Sequence, residues 1–195
     1  MMPIEDIAEK FKHLLTVIQM EKFLDMEALG GEIPFFISTY NPEQELDIVK
    51  AIKGLKNKLE TKGIQVLELN LYDICMNILD EQLGKGEIFE LEIQIDKTEF
   101  KNALQSVLDI KEVVMPTIKS IIDANNARVY FITGVGNVYP FIRSHNILNN
   151  LQNVAKEAPT VMFFPGIYNG QSLELFGKLK DDNYYRAFNL DNYKI

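Results

Sequence analysis

Several residue types are scarce in this chain, and each scarcity excludes a class of protein. One cysteine, Cys75, is present among 195 residues, so no internal disulfide can form and a reducing compartment is favoured. Histidine occurs only at His13 and His145, which leaves no zinc-binding spacing. No apolar run approaches the roughly 18 residues that span a bilayer, and the N-terminus lacks a signal-peptide pattern. The sequence therefore predicts a cytoplasmic protein with no membrane segment and no metal site.

Positive charge is also limited. The chain has 20 basic and 28 acidic residues, a formal net charge of −8, and arginine occurs only at Arg128, Arg143 and Arg186. An acidic total disfavours extensive contact with phosphates, so we expect no direct nucleic-acid partner. Arginine is well suited to bidentate contacts at interfaces, and its confinement to the last third suggests where recognition takes place.

The remaining composition is that of an ordinary globular protein. Apolar residues make up 47% and charged residues 25% of the chain. A chain of this length buries about 70% of the surface that its unfolded form exposes, which removes the need for a covalent staple. We therefore expect a single α/β domain over residues 1–195.

Hydrophobic periodicity predicts alternating strands and helices. The expected strands cover residues 34–39, 64–69, 128–133, 160–164 and 184–190. The expected helices cover residues 4–26, 42–62, 71–83, 110–124, 137–156 and 172–179, and a further helix is expected to follow the cap at residues 96–99. This alternation is typical of βαβ units, so we predict a mainly parallel sheet of four or five strands with helices on both faces. We expect residues 84–124 to form an insertion between the second and third strands. It is either all helical or a mixture of helix and strand, because the apolar pattern of residues 88–95 fits both.

Local signals fix some of the boundaries. Asn41 and Pro42 predict a helix cap followed by proline at the first helical position, with Gln44 completing a capping box. Asp96 and Glu99 predict a second capping box. Pro165 and Gly166 predict a sharp turn after the fourth strand.

Three strand ends are candidates for a functional surface. Ligand sites of open α/β sheets lie beyond the carboxyl ends of the strands. The loops 38–42, 133–137 and 165–170 follow predicted strands, so a parallel sheet places them at one edge. This predicts a shared surface but not its chemistry.

A nucleotide site at that edge has weak sequence support. A phosphate loop needs glycines for its backbone N–H groups, followed by lysine and a hydroxyl residue. Residues 38–42 contain neither glycine nor lysine, and Gly134 with Gly136 forms only a partial pattern. A tight turn is the preferred interpretation. A nucleotide-binding or nucleotide-hydrolysing enzyme with its site at this edge remains the alternative.

Catalytic side chains are also hard to find. Cys75 lies among apolar residues, which is typical of an inert buried thiol. His13 is expected at the surface or the margin of the core, and no pair of carboxylates stands out as a general acid and base. We assign no catalytic, cofactor-binding or metal-binding residue.

The C-terminal residues 184–188 have an unusual composition. In a strand, Tyr184, Arg186 and Phe188 would share one face. Arginine between aromatic residues is common at protein interfaces, and it is equally compatible with a closing strand whose aromatic rings enter the core.

Ordered sequence strings give the chain a family resemblance. They are Tyr-Asn-Pro-Glu-Gln-Glu-Leu at 40–46, Ile-Thr-Gly-Val-Gly at 132–136, Arg-Ser-His at 143–145, Val-Met-Phe-Phe-Pro-Gly at 161–166 and Asp-Asn-Tyr-Tyr-Arg-Ala-Phe at 182–188. Together they resemble the BREX protein B (BrxB) family, and the likeness covers nearly the whole chain. It is weakest over residues 84–126.

The resemblance implies a non-enzymatic core component of BREX, a prokaryotic antiviral system that combines a DNA methyltransferase with accessory proteins. It implies a degenerate nucleotide-binding-like α/β fold, no catalytic residues and no cofactor. The implied partners are the alkaline-phosphatase-like protein PglZ and, through it, the methyltransferase PglX. We therefore predict a scaffold or adaptor that binds other BREX proteins. The candidate interaction residues are Arg143, His145, Tyr168, Asn169, Tyr184, Tyr185 and Arg186.

Overall fold

The structure, a computed structural model, describes residues 2–27, 34–180 and 186–193, without the side chains of Ser144 and His145. The strands are β1 (Phe35–Tyr40), β2 (Val66–Asn70), β3 (Val129–Thr133), β4 (Thr160–Tyr168), β5 (Leu173–Leu175), β6 (Leu179–Lys180) and β7 (Phe188–Asn189). The α-helices are α1 (Ile7–Ile18), α2 (Glu21–Leu24), α3 (Glu45–Thr61), α4 (Leu71–Leu83), α5 (Glu87–Gln94), α6 (Lys97–Val107), α7 (Met115–Asp123) and α8 (Ser144–Val154). A π-helix (Ile110–Val114) precedes α7, and 3₁₀ helices cover Pro42–Gln44 and Leu190–Asn192.

The main sheet is parallel, as the sequence predicts. Its strand order is β2-β3-β4-β1-β7, and each neighbouring pair on this path is parallel. The short strands β5 and β6 extend β4 as an antiparallel meander. Parallel order brings the carboxyl ends of β1, β3 and β4 to one edge.

Alternate residues of the central strands enter two separate hydrophobic cores. In β1, Phe35 and Ile37 belong to the core under α4 and α6–α8, whereas Phe36 belongs to the core under α1–α3. All five residues of β3 are buried, as expected for a strand covered on both sides. The predicted helices on both faces are thus confirmed.

The segment between β2 and β3 is helical throughout its regular elements. The sequence left residues 88–95 ambiguous, and all of them but Ile95 belong to α5, which buries Ile88 against the core. Asp96 caps α6, because its Oδ1 accepts hydrogen bonds from Thr98 N at 2.7 Å and Glu99 N at 3.1 Å. The ambiguous segment therefore resolves as helix.

The cap at Asn41 is confirmed, but Gln44 has a different role. Asn41 Oδ1 accepts a hydrogen bond of 3.0 Å from Glu43 N. The Gln44 side chain instead pairs with the backbone of Glu5, accepting from its N–H and donating to its carbonyl, both at 3.0 Å. It therefore joins the N-terminal segment to the loop after β1.

Two predicted helices are shorter than expected. The first is divided into α1 and α2, with turns between them. The helix predicted over residues 137–156 begins only at Ser144. Residues 135–142 form turns and a bend that bury Val135, Val138 and Ile142 against the core.

The region after β4 also differs from the prediction. The chain continues as strand through Pro165 and Gly166 instead of turning, and residues 173–180 form β5 and β6 rather than a helix. Leu173 and Leu175 are buried on either side of Glu174. This alternation of buried and less buried residues is typical of a strand, and the sequence prediction missed it. Of the predicted closing strand, residues 188–189 form β7, and residues 184 and 185 lie outside the described residues.

Candidate functional site

Two of the predicted loops, 38–42 and 133–137, meet at the carboxyl edge of the sheet beside Pro165, where β4 continues as a strand instead of forming the third predicted loop. Tyr40, at the end of β1, is in register with Pro165 of β4. The loop after β3 reaches the same place, because a Cβ at Gly136 would lie 2.9 Å from both Pro165 Cγ and Phe176 Cε1. The shared edge expected from a parallel sheet is therefore present.

A small cavity opens at this edge between the ends of β1, β2 and β3. Its volume is about 110 Å³. Its polar lining includes Tyr40, Glu45, Glu68, Asn70, Thr133 and Asn137, and its apolar lining includes Val49, Ile52 and Phe163. We call it the carboxyl-edge cavity.

Two carboxylates of this cavity are fixed by hydroxyl groups. Tyr40 Oη donates a hydrogen bond of 2.7 Å to Glu45 Oε2, and Thr133 Oγ1 donates one of 3.0 Å to Glu68 Oε1. Burial raises the pKa of the Tyr40 phenol, and the hydrogen bond to Glu45 raises this pKa further. The phenol therefore stays a proton donor at physiological pH.

The cavity also includes the carboxyl end of β2, which the sequence did not predict as part of a site. Asn70, the last residue of β2, caps α4 by accepting hydrogen bonds from Tyr72 N at 3.0 Å and Asp73 N at 3.3 Å. Gly134 has a φ of +71°, and a side chain there would collide with Asn70 Oδ1. An asparagine directly between a strand and a helix was the available signal.

A wider groove lies on the other side of the β1 end. It has a volume of about 630 Å³ between the N-terminal residues and the β4–β6 meander. Asn41 Nδ2 donates to the carbonyl oxygens of Met2 and Pro3 at 3.1 and 3.3 Å, which holds one wall in place. Ile167 and Phe176 contribute to the other wall.

A buried ion network fastens both ends of the chain to β1. Lys10 Nζ lies 3.0 Å from Asp191 Oδ1 and 2.8 Å from Glu5 Oε2, the second as an ion contact without hydrogen-bond geometry. Asp191 also accepts hydrogen bonds from Ser38 Oγ at 2.6 Å and Thr39 N at 2.9 Å. The Lys10 side chain is only 10% exposed, so this cation is committed to the fold.

Among the candidate interaction residues that the structure describes, Arg143 and Arg186 lie far apart. Arg143 is exposed and precedes α8, whereas the carbonyl of exposed Arg186 accepts a hydrogen bond of 3.0 Å from Gln152, near the other end of α8. At about 1.5 Å per residue, Arg143 and Gln152 are roughly 13 Å apart along the helix axis. The two arginines therefore lie at opposite ends of this helix.

The remaining candidates differ in exposure. Tyr168 is buried and donates a hydrogen bond of 2.8 Å to the carbonyl of Ala187, so it can serve an interface only by holding the meander in place. Asn169 is exposed, and its Oδ1 accepts from Gln171 N and Ser172 N to form the turn before β5. His145 lies in the first turn of α8, but its side chain, like Tyr184 and Tyr185, lies outside the described part.

The surroundings of Cys75 and His13 bear on their catalytic potential. Burial raises the pKa of the Cys75 thiol to about 12, so the thiolate is scarce at neutral pH. His13 Nε2 lies 3.1 Å from the carbonyl oxygen of Leu190. Within residues 2–27, 34–180 and 186–193, no group of three or more His, Cys, Asp or Glu residues is placed to hold a metal ion. No helix in these ranges is long and apolar enough to cross a membrane.

Comparison with known proteins gives consistent matches over this fold. A family model described as BREX protein BrxB matches residues 67–190. A BREX protein BrxB of Bacillus cereus (strain H3081.97) is 36% identical over 188 residues, covering 94% of this chain and 97% of that protein. A BREX protein BrxB of Escherichia coli O9:H4 (strain HS) is 31% identical over 181 residues, covering 93% and 90%. No solved structure matches the chain.

Proposed function

The chain belongs to the BrxB family of BREX proteins, and from this premise we propose that it is a non-enzymatic scaffold or adaptor in a BREX phage-defence complex. The similarity to two BrxB proteins extends over more than nine-tenths of this chain and at least 90% of each relative. Such coverage supports a shared role for the whole chain rather than for one segment of it.

The partner that we propose is the PglZ-like protein of the alkaline-phosphatase family, which would connect the chain to the PglX-like methyltransferase. This proposal rests on the family resemblance. The formal net charge of −8 supports protein partners over direct binding to DNA, because phosphates repel an acidic surface. We also propose that the complex works in the cytoplasm, where a lone thiol stays reduced.

The observation that carries the scaffold proposal is the convergence of strand-end loops at the carboxyl edge. The segment after β3 packs closely against β4 and the β5–β6 turn at this edge, because a Cβ at Gly136 would lie 2.9 Å from Pro165 Cγ and from Phe176 Cε1. The polar side chains of this edge are largely fixed by internal hydrogen bonds, such as those of Asn41 and Asn70. A surface that is already ordered loses little entropy when a partner binds, which favours recognition.

The same geometry disfavours the nucleotide alternative. The carboxyl-edge cavity is smaller than the roughly 300–1,000 Å³ of typical cofactor sites. Glu45 and Glu68 line it, and no lysine or arginine is among its described lining residues, so a phosphate would meet negative charge. Titration calorimetry with ATP, GTP and NAD tests this alternative, and we expect no heat of binding at physiological salt.

The scaffold proposal is tested by co-expressing the tagged chain with the PglZ-like protein of the same gene cluster. We expect the two proteins to co-elute in size-exclusion chromatography, with a light-scattering mass equal to that of a complex. Separate elution of two folded proteins would reject this partner. If the chain binds no BREX protein when all are co-expressed, the scaffold role itself is wrong.

A further inference from the structure

The carboxyl-edge cavity has the size of a site for one side chain. Its volume of about 110 Å³ is too small for a nucleotide or a common cofactor. It is nevertheless open at a rim that includes Val49 and Tyr72, which are 54% and 43% exposed. A group carried on the surface of a partner can therefore enter it.

The charge of the cavity selects the sign of its occupant. Glu45 and Glu68 each receive one hydroxyl hydrogen bond on one oxygen, which fixes the carboxylate and leaves a second oxygen for another donor. Within the described ranges, neither carboxylate forms an ion pair with lysine, arginine or histidine. Partial burial lowers the local dielectric constant, so an entering cation gains more here than at the open surface.

The walls of the cavity select the shape of its occupant. Val49, Ile52 and Phe163 provide apolar contact beside the two carboxylates. An arginine or lysine side chain has an apolar stem and a cationic head, which fits this combination. The exposed ring of Tyr72 at the rim adds a surface over which a guanidinium can stack.

We propose that the carboxyl-edge cavity binds the cationic end of an arginine or lysine side chain presented by the protein partner. This inference rests on the scaffold role proposed above and specifies where and by what chemistry the partner is held. The occupant's stem would contact Val49 and Ile52. Its head would donate hydrogen bonds to the free oxygens of Glu45 and Glu68.

The first test uses variants that remove charge but keep the hydroxyl hydrogen bonds. Glu45→Gln and Glu68→Gln retain an acceptor oxygen for Tyr40 and Thr133, and Glu60→Gln removes an equal charge from the exposed end of α3. We expect each cavity variant to weaken binding of the PglZ-like protein at least tenfold, while Glu60→Gln stays within twofold. Unchanged thermal midpoints will show that the variants fold. A double cavity variant that binds like the wild type overturns the inference and leaves the scaffold role standing.

The second test does not need the partner. Butylguanidinium and butylammonium are titrated into the full chain, and binding is followed by NMR through the chemical shifts of the protein's backbone amides. Uncharged pentanamide is the control. We expect saturable shifts at Tyr72 and Gly134 that pentanamide does not cause and that Glu45→Gln with Glu68→Gln abolishes. Absence of these shifts, or the same shifts with Mg²⁺ alone, overturns the inference. This titration tests whether the cavity binds a cationic side chain even if no BREX protein binds the chain.

Discussion

The phenol of Tyr40 donates a hydrogen bond of 2.7 Å to Oε2 of Glu45, which joins the last residue of β1 to the first residue of α3. Tyr40 is buried, whereas Glu45 is partly exposed. The pair thus places one fixed carboxylate at the mouth of the carboxyl-edge cavity.

Tyr40→Phe tests whether this hydrogen bond stabilises the fold. The variant keeps the ring and leaves the Glu45 carboxylate without its hydroxyl donor. We expect a loss of about 1–2 kcal/mol in the free energy of unfolding, measured by urea denaturation. Tyr72→Phe is the matched control, because Tyr72 is exposed; its effect should stay within about 0.5 kcal/mol. Equal effects of the two variants would contradict the assignment.

Lys10→Met tests the buried ion network at the end of β1. Removing the ammonium leaves Asp191 partly buried without its cation, and we expect a loss of about 3 kcal/mol in unfolding free energy. Lys119→Met breaks the Lys119–Asp123 pair, whose side chains are more than half exposed, and should leave the free energy of unfolding almost unchanged, because water screens this pair. If both substitutions cost the same, the network contributes no more than a surface pair.

Thiol chemistry tests the state of Cys75. Burial raises the pKa of this thiol to about 12, so labelling by iodoacetamide at pH 7.5 should be very slow in the native protein. The rate should keep rising through pH 9 without levelling, because the thiolate fraction is still growing there. Labelling in urea should occur at the rate of an ordinary free cysteine. Rapid native labelling would show that the thiol is accessible and ionised.

Gly166→Ala tests the strand that replaces the expected turn. A Cβ at this position would collide with the carbonyl oxygen of Glu174 across the β4–β5 pair. We expect a loss of roughly 2–3 kcal/mol in unfolding free energy. Gly54→Ala, in the middle of α3 with no neighbouring atom within 4 Å, should instead be neutral or stabilise by about 0.5–1 kcal/mol. A neutral Gly166→Ala would mean that the two strands do not approach this closely.

Arg143→Ala and Arg186→Ala test the interaction surface predicted from the sequence. Either substitution should leave the fold intact and, for a central contact, weaken partner binding by about 2 kcal/mol. Arg128→Ala is the control, because Arg128 already pairs with Asp25 at 2.8 Å. Since the structure places Arg143 and Arg186 at opposite ends of α8, a loss of binding in only one variant would locate the interface. Wild-type affinity in both would reject their role.

The sequence was most informative where local chemistry decides the structure. The apolar stripe Ile48, Ile52, Leu55 and Leu59 is buried along α3, and α4 covers the predicted residues 71–83. Asn41 and Asp96 cap helices as their side chains require. These features depend on contacts within a few residues, so periodicity and capping rules suffice to predict them.

Prediction was poorer where distant residues decide the structure. Gln44 was expected to close its own helix cap, but it pairs with Glu5, which is 39 residues away. Residues 173–180 carry helix-compatible spacing, yet pairing with β4 turns them into strands. Long-range pairing overrides local propensity in such segments.

The candidate site also has a part that was predictable from the sequence and a part that depends on distant residues. A parallel sheet was enough to predict that the segments following β1 and β3 meet at one edge beside β4. The two-carboxylate cavity was not predictable, because Glu68 and the Thr133 hydroxyl that fixes it are 65 residues apart. A single sequence gives no sign of that pairing.

The scaffold role that we propose requires the carboxyl edge to be the surface that binds the protein partner. Hydrogen–deuterium exchange of the chain, alone and in its complex with the PglZ-like protein, tests this most directly. We expect slower exchange on binding in residues 38–45, 68–73 and 133–137, with little change at the amino ends of the parallel strands. Protection confined to the amino ends of the strands, or no change at all in a confirmed complex, would contradict it.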